Sequence, residues 1–99
     1  MPILALFTAP MTKPQYDTLF HEIHWHKDQP PGALCHVSSF DESGHIHVAD
    51  VWETVEHLNA FVQNRLMPVM MKHNIPAPDV QIFPTHLIQA YKGMDKFKI

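Results

Sequence analysis

Apolar residues run almost without a break from Ile3 to Ala9. A continuous run of that length reads as a strand buried on both faces, and Pro10 ends it. The period then changes. Tyr16, Leu19, Phe20 and Ile23 recur at i, i+3, i+4 and i+7, the apolar stripe of a helix running to about His26. Thr12 is its expected N-cap, with Gln15 as capping-box partner and Pro14 in the first turn. Asp28-Gln29-Pro30-Pro31-Gly32 reads as a loop. Ala33 to Phe40 and His45 to Trp52 read as two strands joined at the Asp41-Glu42-Ser43-Gly44 turn, a hairpin. Thr54 is placed to cap a second helix. Its stripe of Leu58, Phe61, Val62, Leu66, Val69 and Met70 should be broken or kinked by Pro68 into a long piece and a short one. After a loop from Asn74 to Asp79, Val80 to Tyr91 reads as a last strand. Pro84 interrupts it, so an edge position or a bulge is expected.

The order β-α-β-β-α-β is the split βαβ, ferredoxin-like α+β arrangement, with a four-stranded antiparallel sheet. Residues 1–91 form one domain, and residues 92–99 a lysine-rich C-terminal tail. Two helices cover only one face of such a sheet. The first strand, however, is apolar on both faces: Ile3, Ala5 and Phe7 on one, Leu4 and Leu6 on the other. A bare apolar face of that size is expected to be covered by a second copy, sheet on sheet, giving a homodimeric α/β barrel.

Composition removes several function classes. The 99 residues are 45% hydrophobic and 17% charged, which excludes a disordered chain. The longest apolar run falls far short of the ~20 residues that span a bilayer, so no membrane association is expected. No basic stretch followed by an apolar segment opens the chain, and the single cysteine, Cys35, admits no internal disulfide; both suit a cytoplasmic location. The net charge of −3 and the lack of a basic cluster outside Lys92, Lys96 and Lys98 argue against nucleic acid as a partner.

Histidine is the compositional oddity, with nine residues. His21 and His24 share a helix face at i, i+3 and could hold a metal with one more ligand, although His21-Glu22-Ile23-His24-Trp25-His26 lacks the i, i+4 pair of HExxH. The alternative is a polar helix end where imidazolium opposes the dipole. No metal site is assigned. The hairpin is the richer place. A two- or four-residue turn puts His36, Ser38, His45 and His47 on one face. A one-residue bulge flips the parity and sets His36 beside Asp50 and Trp52. In that register His36 has a fixed tautomer and suits a general base with Asp50 as its orienter; the plainer alternative is a buried pair that satisfies two polar groups. Tyr16 and Trp52 are candidate walls of an aromatic pocket, or core. His86 faces either that pocket, a dimer partner or solvent. Cys35 reads as an inert thiol.

Three segments carry a family resemblance: Gly32-Ala-Leu-Cys-His36, Asp50-Val-Trp52-Glu53-Thr54, and Leu58 to Phe61. The chain resembles the dimeric α/β-barrel proteins of the antibiotic-biosynthesis-monooxygenase type, in which a strand ends in a VWE-S/T element that starts the second helix. Met11-Thr12, Gln15-Tyr16-Asp17, Pro30-Pro31-Gly32 and Leu66-Met67-Pro68 resemble an uncharacterised branch of that family. The likeness covers about Pro2 to Ile88. It implies a homodimer and a cofactor-independent monooxygenase acting on a small aromatic or quinone-like molecule. His36 and Asp50 would then be catalytic, and Tyr16, Trp52 and His86 substrate-binding, with no cofactor. The alternative is a non-catalytic small-molecule-binding or stress-associated dimer. The Asn, Trp and iron-ligating His of the haem-degrading members would fall at Phe7, Phe61 and about Met71, so haem degradation is disfavoured.

Overall fold

The structure, a computed structural model, describes residues 1–23 and 27–98. β1 (Ile3–Pro10) pairs with both β3 (His45–Trp52) and β4 (Asp79–Pro84), and β2 (Ala33–Phe40) pairs with β3. All pairs are antiparallel, in the order β2-β3-β1-β4. The all-apolar first strand is therefore central. Ile3, Ala5, Phe7 and Ala9 are buried under the helices, while Leu4 and Leu6 are only half-buried on the opposite face. A single chain forms this open sheet rather than a barrel.

α1 (Lys13–Ile23) starts as its sequence predicts. Thr12 N–H donates to Gln15 Oε1 at 2.9 Å and Gln15 N–H to Thr12 Oγ1 at 3.2 Å, so two otherwise unpaired donors are satisfied reciprocally. Leu19 and Ile23 are buried; Tyr16 and Phe20, on the same stripe, are half-buried at its margin. The expected extension to His26 enters residues 24–26, outside the described residues. Arg65 Nη2 donates to the carbonyls of Ile23 at 2.5 Å and Asp28 at 2.8 Å, closing the carbonyl end of α1 from the second helical segment.

That second segment starts at α2 (Val55–Phe61), capped by Thr54, whose hydroxyl accepts from His57 N–H. It continues through one π-helical turn, Val62–Leu66, into α3 (Met67–Lys72). Pro68 is the second residue of α3, directly after the π turn, and the helical backbone runs on through it. Met67 N–H reaches back five residues to Val62 O, so the chain absorbs the proline by widening a turn instead of breaking. Leu58, Phe61 and Met70 carry the buried stripe.

One expectation changes. The last strand stops at Pro84 instead of running to Tyr91. Thr85 N–H still donates to Pro2 O, opposite it in the register, at 3.1 Å, and Thr85 Oγ1 donates to the same oxygen at 2.9 Å; Pro2 has no N–H to return the bond, so the ladder ends there. The edge position holds. The hairpin also resolves its parity. Gly44 N–H approaches Asp41 O, Asp41 N–H donates to His45 O, and Gly44 is left-handed at φ 88°. This is a loop of Glu42-Ser43-Gly44 with a glycine bulge. Phe40 therefore faces Ile46, and His36 faces Asp50. A second irregularity at Leu34 returns Ala33 to Trp52.

Gly32 and Gly44 both need positive φ, but only Gly32 lies against a side chain, the ring of His57. Gly44→Ala is expected to cost about 1 kcal/mol for the left-handed backbone alone. Gly32→Ala should cost more than ~2 kcal/mol, because the collision adds to the strain. Urea unfolding of both variants checks the order; equal losses would contradict it.

Candidate active site

The register brings an imidazole and a carboxylate together under the helices. Asp50 is 2% exposed, and a carboxylate that deep needs donors at both oxygens. It has them. His36 Nδ1 lies 2.6 Å from Oδ1, and Trp52 Nε1–H donates to Oδ2 at 3.3 Å. A carboxylate only accepts, so Nδ1 carries the proton; in the neutral imidazole Nε2 is then the acceptor. Tyr16 Oη lies 2.7 Å from that Nε2 and donates to it. The result is a continuous chain from Tyr16 through His36 to Asp50, anchored on Trp52.

Each member comes from a different element. Tyr16 is in the first turn of α1, which the Thr12–Gln15 box starts at the right residue. His36 is on β2, and Asp50 and Trp52 alternate on β3. Burial pushes the Tyr16 phenol above its ordinary 10.0; a hydroxyl contact from Ser38 opposes this, and the charge of Asp50 adds to it. Tyr16 thus keeps its proton at neutral pH, as a donor to Nε2 must.

The ring of His36 stacks near parallel to Tyr16 at 6.3 Å and lies 6.4 Å from Phe20. Phe40 meets Tyr16 edge-on at 5.9 Å. These half-buried rings make an aromatic mouth between α1 and β2. Phe20 and Phe40 were not among the sequence candidates. Phe20 lies at i+4 from Tyr16 on the same stripe, which is a usable signal; Phe40 becomes a neighbour only through the fold.

Behind the mouth, between sheet and helices, is a cavity of about 70 Å³. Its wall is apolar, since the polar atoms of Tyr16, His36 and Asp50 face each other. Leaving that space unfilled costs on the order of 2 kcal/mol at ~24 cal/mol per Å³.

Two candidates change place. Trp52 is fully buried against Phe61 at 5.1 Å and does not line the cavity; it is a partner of Asp50, not a pocket wall. His86 is exposed on the far side of the sheet, in a groove with Leu4, Val51 and residues 84–89, because β4 ends before it. It does not reach the His36 site. Among the described residues no three His, Cys, Asp or Glu side chains come together as a metal site. His24, half of the proposed His21–His24 pair, lies outside the described residues.

Burial gives a pH prediction. A phenol whose folded pKa lies above its unfolded value near ~10 adds stability that is complete below that pH and is lost as pH rises through the folded value. In a Tyr91→Phe background, phenolate absorbance should therefore show Tyr16 ionising above pH 10.0, with falling stability in the same window. An ordinary midpoint would refute the buried placement.

No protein-family model matches the chain, and no curated protein matches it in sequence. Solved structures do. One is a Chloroflexus aurantiacus protein named for the antibiotic biosynthesis monooxygenases: 17% identity, TM-score 0.65, covering 91% of this chain and 98% of that one. Rv0793 from Mycobacterium tuberculosis is 10% identical with TM-score 0.64, over 92% and 100%. SnoaB, a cofactor-independent oxygenase from Streptomyces nogalater, is 13% identical with TM-score 0.60, over 88% and 93%. No helix of the described residues is long and apolar enough to cross a membrane. The chain has the ferredoxin-like α+β fold of the antibiotic-biosynthesis-monooxygenase type.

Proposed function

We propose that the protein is a cofactor-independent monooxygenase that oxidises a small hydroxylated aromatic or quinol-like molecule bound at the Tyr16–Phe20–Phe40 mouth. The observation that carries this is the Tyr16–His36–Asp50 chain, which ends at the half-buried ring cluster of Tyr16, Phe20 and Phe40. The fold shared with SnoaB supports the reaction class.

The substrate hydroxyl gives its proton to Tyr16 Oη as Tyr16 passes its own to His36 Nε2. Asp50 holds the imidazolium that forms, and its burial makes that pairing strong. The phenolate left behind is electron-rich enough to reduce dioxygen. A ring carbon bonds one oxygen atom, and His36 returns the proton to give a hydroperoxide. At a carbon bearing two hydrogens in the keto form, collapse yields a carbonyl and one water. One oxygen atom is incorporated, the other leaves in the water, and the two electrons come from the substrate. The cavity of about 70 Å³ is well below the ~300 Å³ of ordinary ligand pockets, so a ring must bind at the mouth.

Oxygen uptake with a panel of hydroxyarenes and hydroquinones tests the reading. With an active compound, His36→Ala and Tyr16→Phe should each lower kcat by about 10²–10⁴, the usual worth of a general base. Undiminished turnover in His36→Ala would remove it from the chemistry.

The proposal includes a homodimer. Val37 and Phe83, each about half exposed at 49% and 47%, share the uncovered sheet face with Leu4 and Leu6. Light scattering should give twice the 11.4 kDa chain mass, and Val37→Lys should shift it toward one. A monomeric wild type would contradict this part.

A further inference from the structure

The cavity behind His36 is walled by Ala9, Leu19, Ile46, Val48, Leu66 and Met70, among others, with the imidazole on one side. Three features decide what it can hold. The first is size. About 70 Å³ is the room of roughly two waters at ~30 Å³ each, and under half of the ~150 Å³ that takes a benzene ring in an engineered cavity elsewhere. An aromatic substrate does not enter, but a diatomic molecule does.

The second is polarity. A buried water needs two to four polar partners. Here the phenol, both imidazole nitrogens and both carboxylate oxygens are engaged with one another or with Trp52. Among the described residues no buried side-chain polar atom lacks a partner. Nothing in the wall calls for water, so the space favours a small apolar guest. The third is position, since the cavity is lined by His36 together with Tyr16 and Phe20, two rings of the aromatic mouth, and so adjoins the place where a substrate ring would dock.

We propose that this cavity is a dioxygen-binding site that holds the gas against His36, on the protein side of a substrate docked at the mouth. Binding of a small apolar molecule rests on the cavity alone; its identity as dioxygen rests on the oxygenase reading above. The arrangement separates the two reactants. The ring is taken up at the aromatic mouth, and the gas is stored where water gains no hydrogen bond.

The probes are dioxygen and xenon, used on the whole wild-type chain without substrate. In protein labelled at Ile, Leu, Val and Met methyls, dissolved paramagnetic dioxygen should relax the methyls of Leu19, Ile46 and Met70 several-fold faster than those of Leu58 and Ile75. The latter two are equally buried but do not line the cavity. Xenon should shift the same cavity methyls. Ala9→Val, which adds two methyl groups at the wall, should abolish both effects, and Val48→Ile serves if Ala9→Val fails to fold. Uniform relaxation across both groups overturns the proposal, as do water-to-methyl Overhauser contacts in the cavity. The outcome is separable from the oxygenase reading. Cavity-selective relaxation with undiminished turnover in His36→Ala would leave the gas site standing and remove the proton relay. Uniform relaxation with collapsed turnover would do the reverse.

Discussion

A carboxylate at 2% exposure is the constraint around which the site is arranged. Taking Asp50 out of water is tolerable only because Trp52 and His36 each bring a proton to one of its oxygens. Each consequence follows in turn. The bond to Oδ1 fixes the imidazole tautomer, the tautomer makes Nε2 an acceptor, and Nε2 takes the Tyr16 hydroxyl. Trp52 is thereby given a reason to be buried with its indole N–H inward, and α1 must present its first turn to β2.

The backbone devices that permit this are local and few. Gly44 in the left-handed region gives the hairpin an odd loop, and parity does the rest: one residue fewer would face His36 toward Ala49. Asp41 ties that loop. It accepts from Ser43 N–H and Oγ, from His45 N–H and from His47 Nε2, and these bonds hold its carboxyl well below the usual range. The π turn at Val62–Leu66 serves the opposite wall. It admits Pro68, brings Leu66 to the cavity, and lets Arg65 reach the carbonyl end of α1.

The two faces of the sheet differ in kind. Under the helices, small and large residues alternate along β1 as Ala5, Phe7 and Ala9, leaving the unfilled space beside His36. On the other face, Leu4, Leu6, Val37 and Phe83 are apolar without a helix over them. The segment after β4 lines only part of it, where residues 84–89 meet Leu4 and Val51. The short β4, which ends at Pro84, is what frees that segment and takes His86 away from the site.

The sequence alone determined the element order, the ends of β2 and β3, and the capping box at Thr12. These depend on periods and on residues close together in the chain. It also narrowed the hairpin to two registers and named what each would juxtapose. Only the tertiary structure chose between them, because a single residue of loop geometry flips every side chain on a strand. The same holds for Trp52, whose role turned on which way its N–H points, and for His86, whose placement turned on where β4 stops. Phe40 joined the aromatic mouth for a like reason: its neighbour Tyr16 is twenty-four positions away in sequence and 5.9 Å away between rings. Hydrophobic periodicity says which face of an element is buried. It does not say what lies opposite, and catalysis depends on what lies opposite.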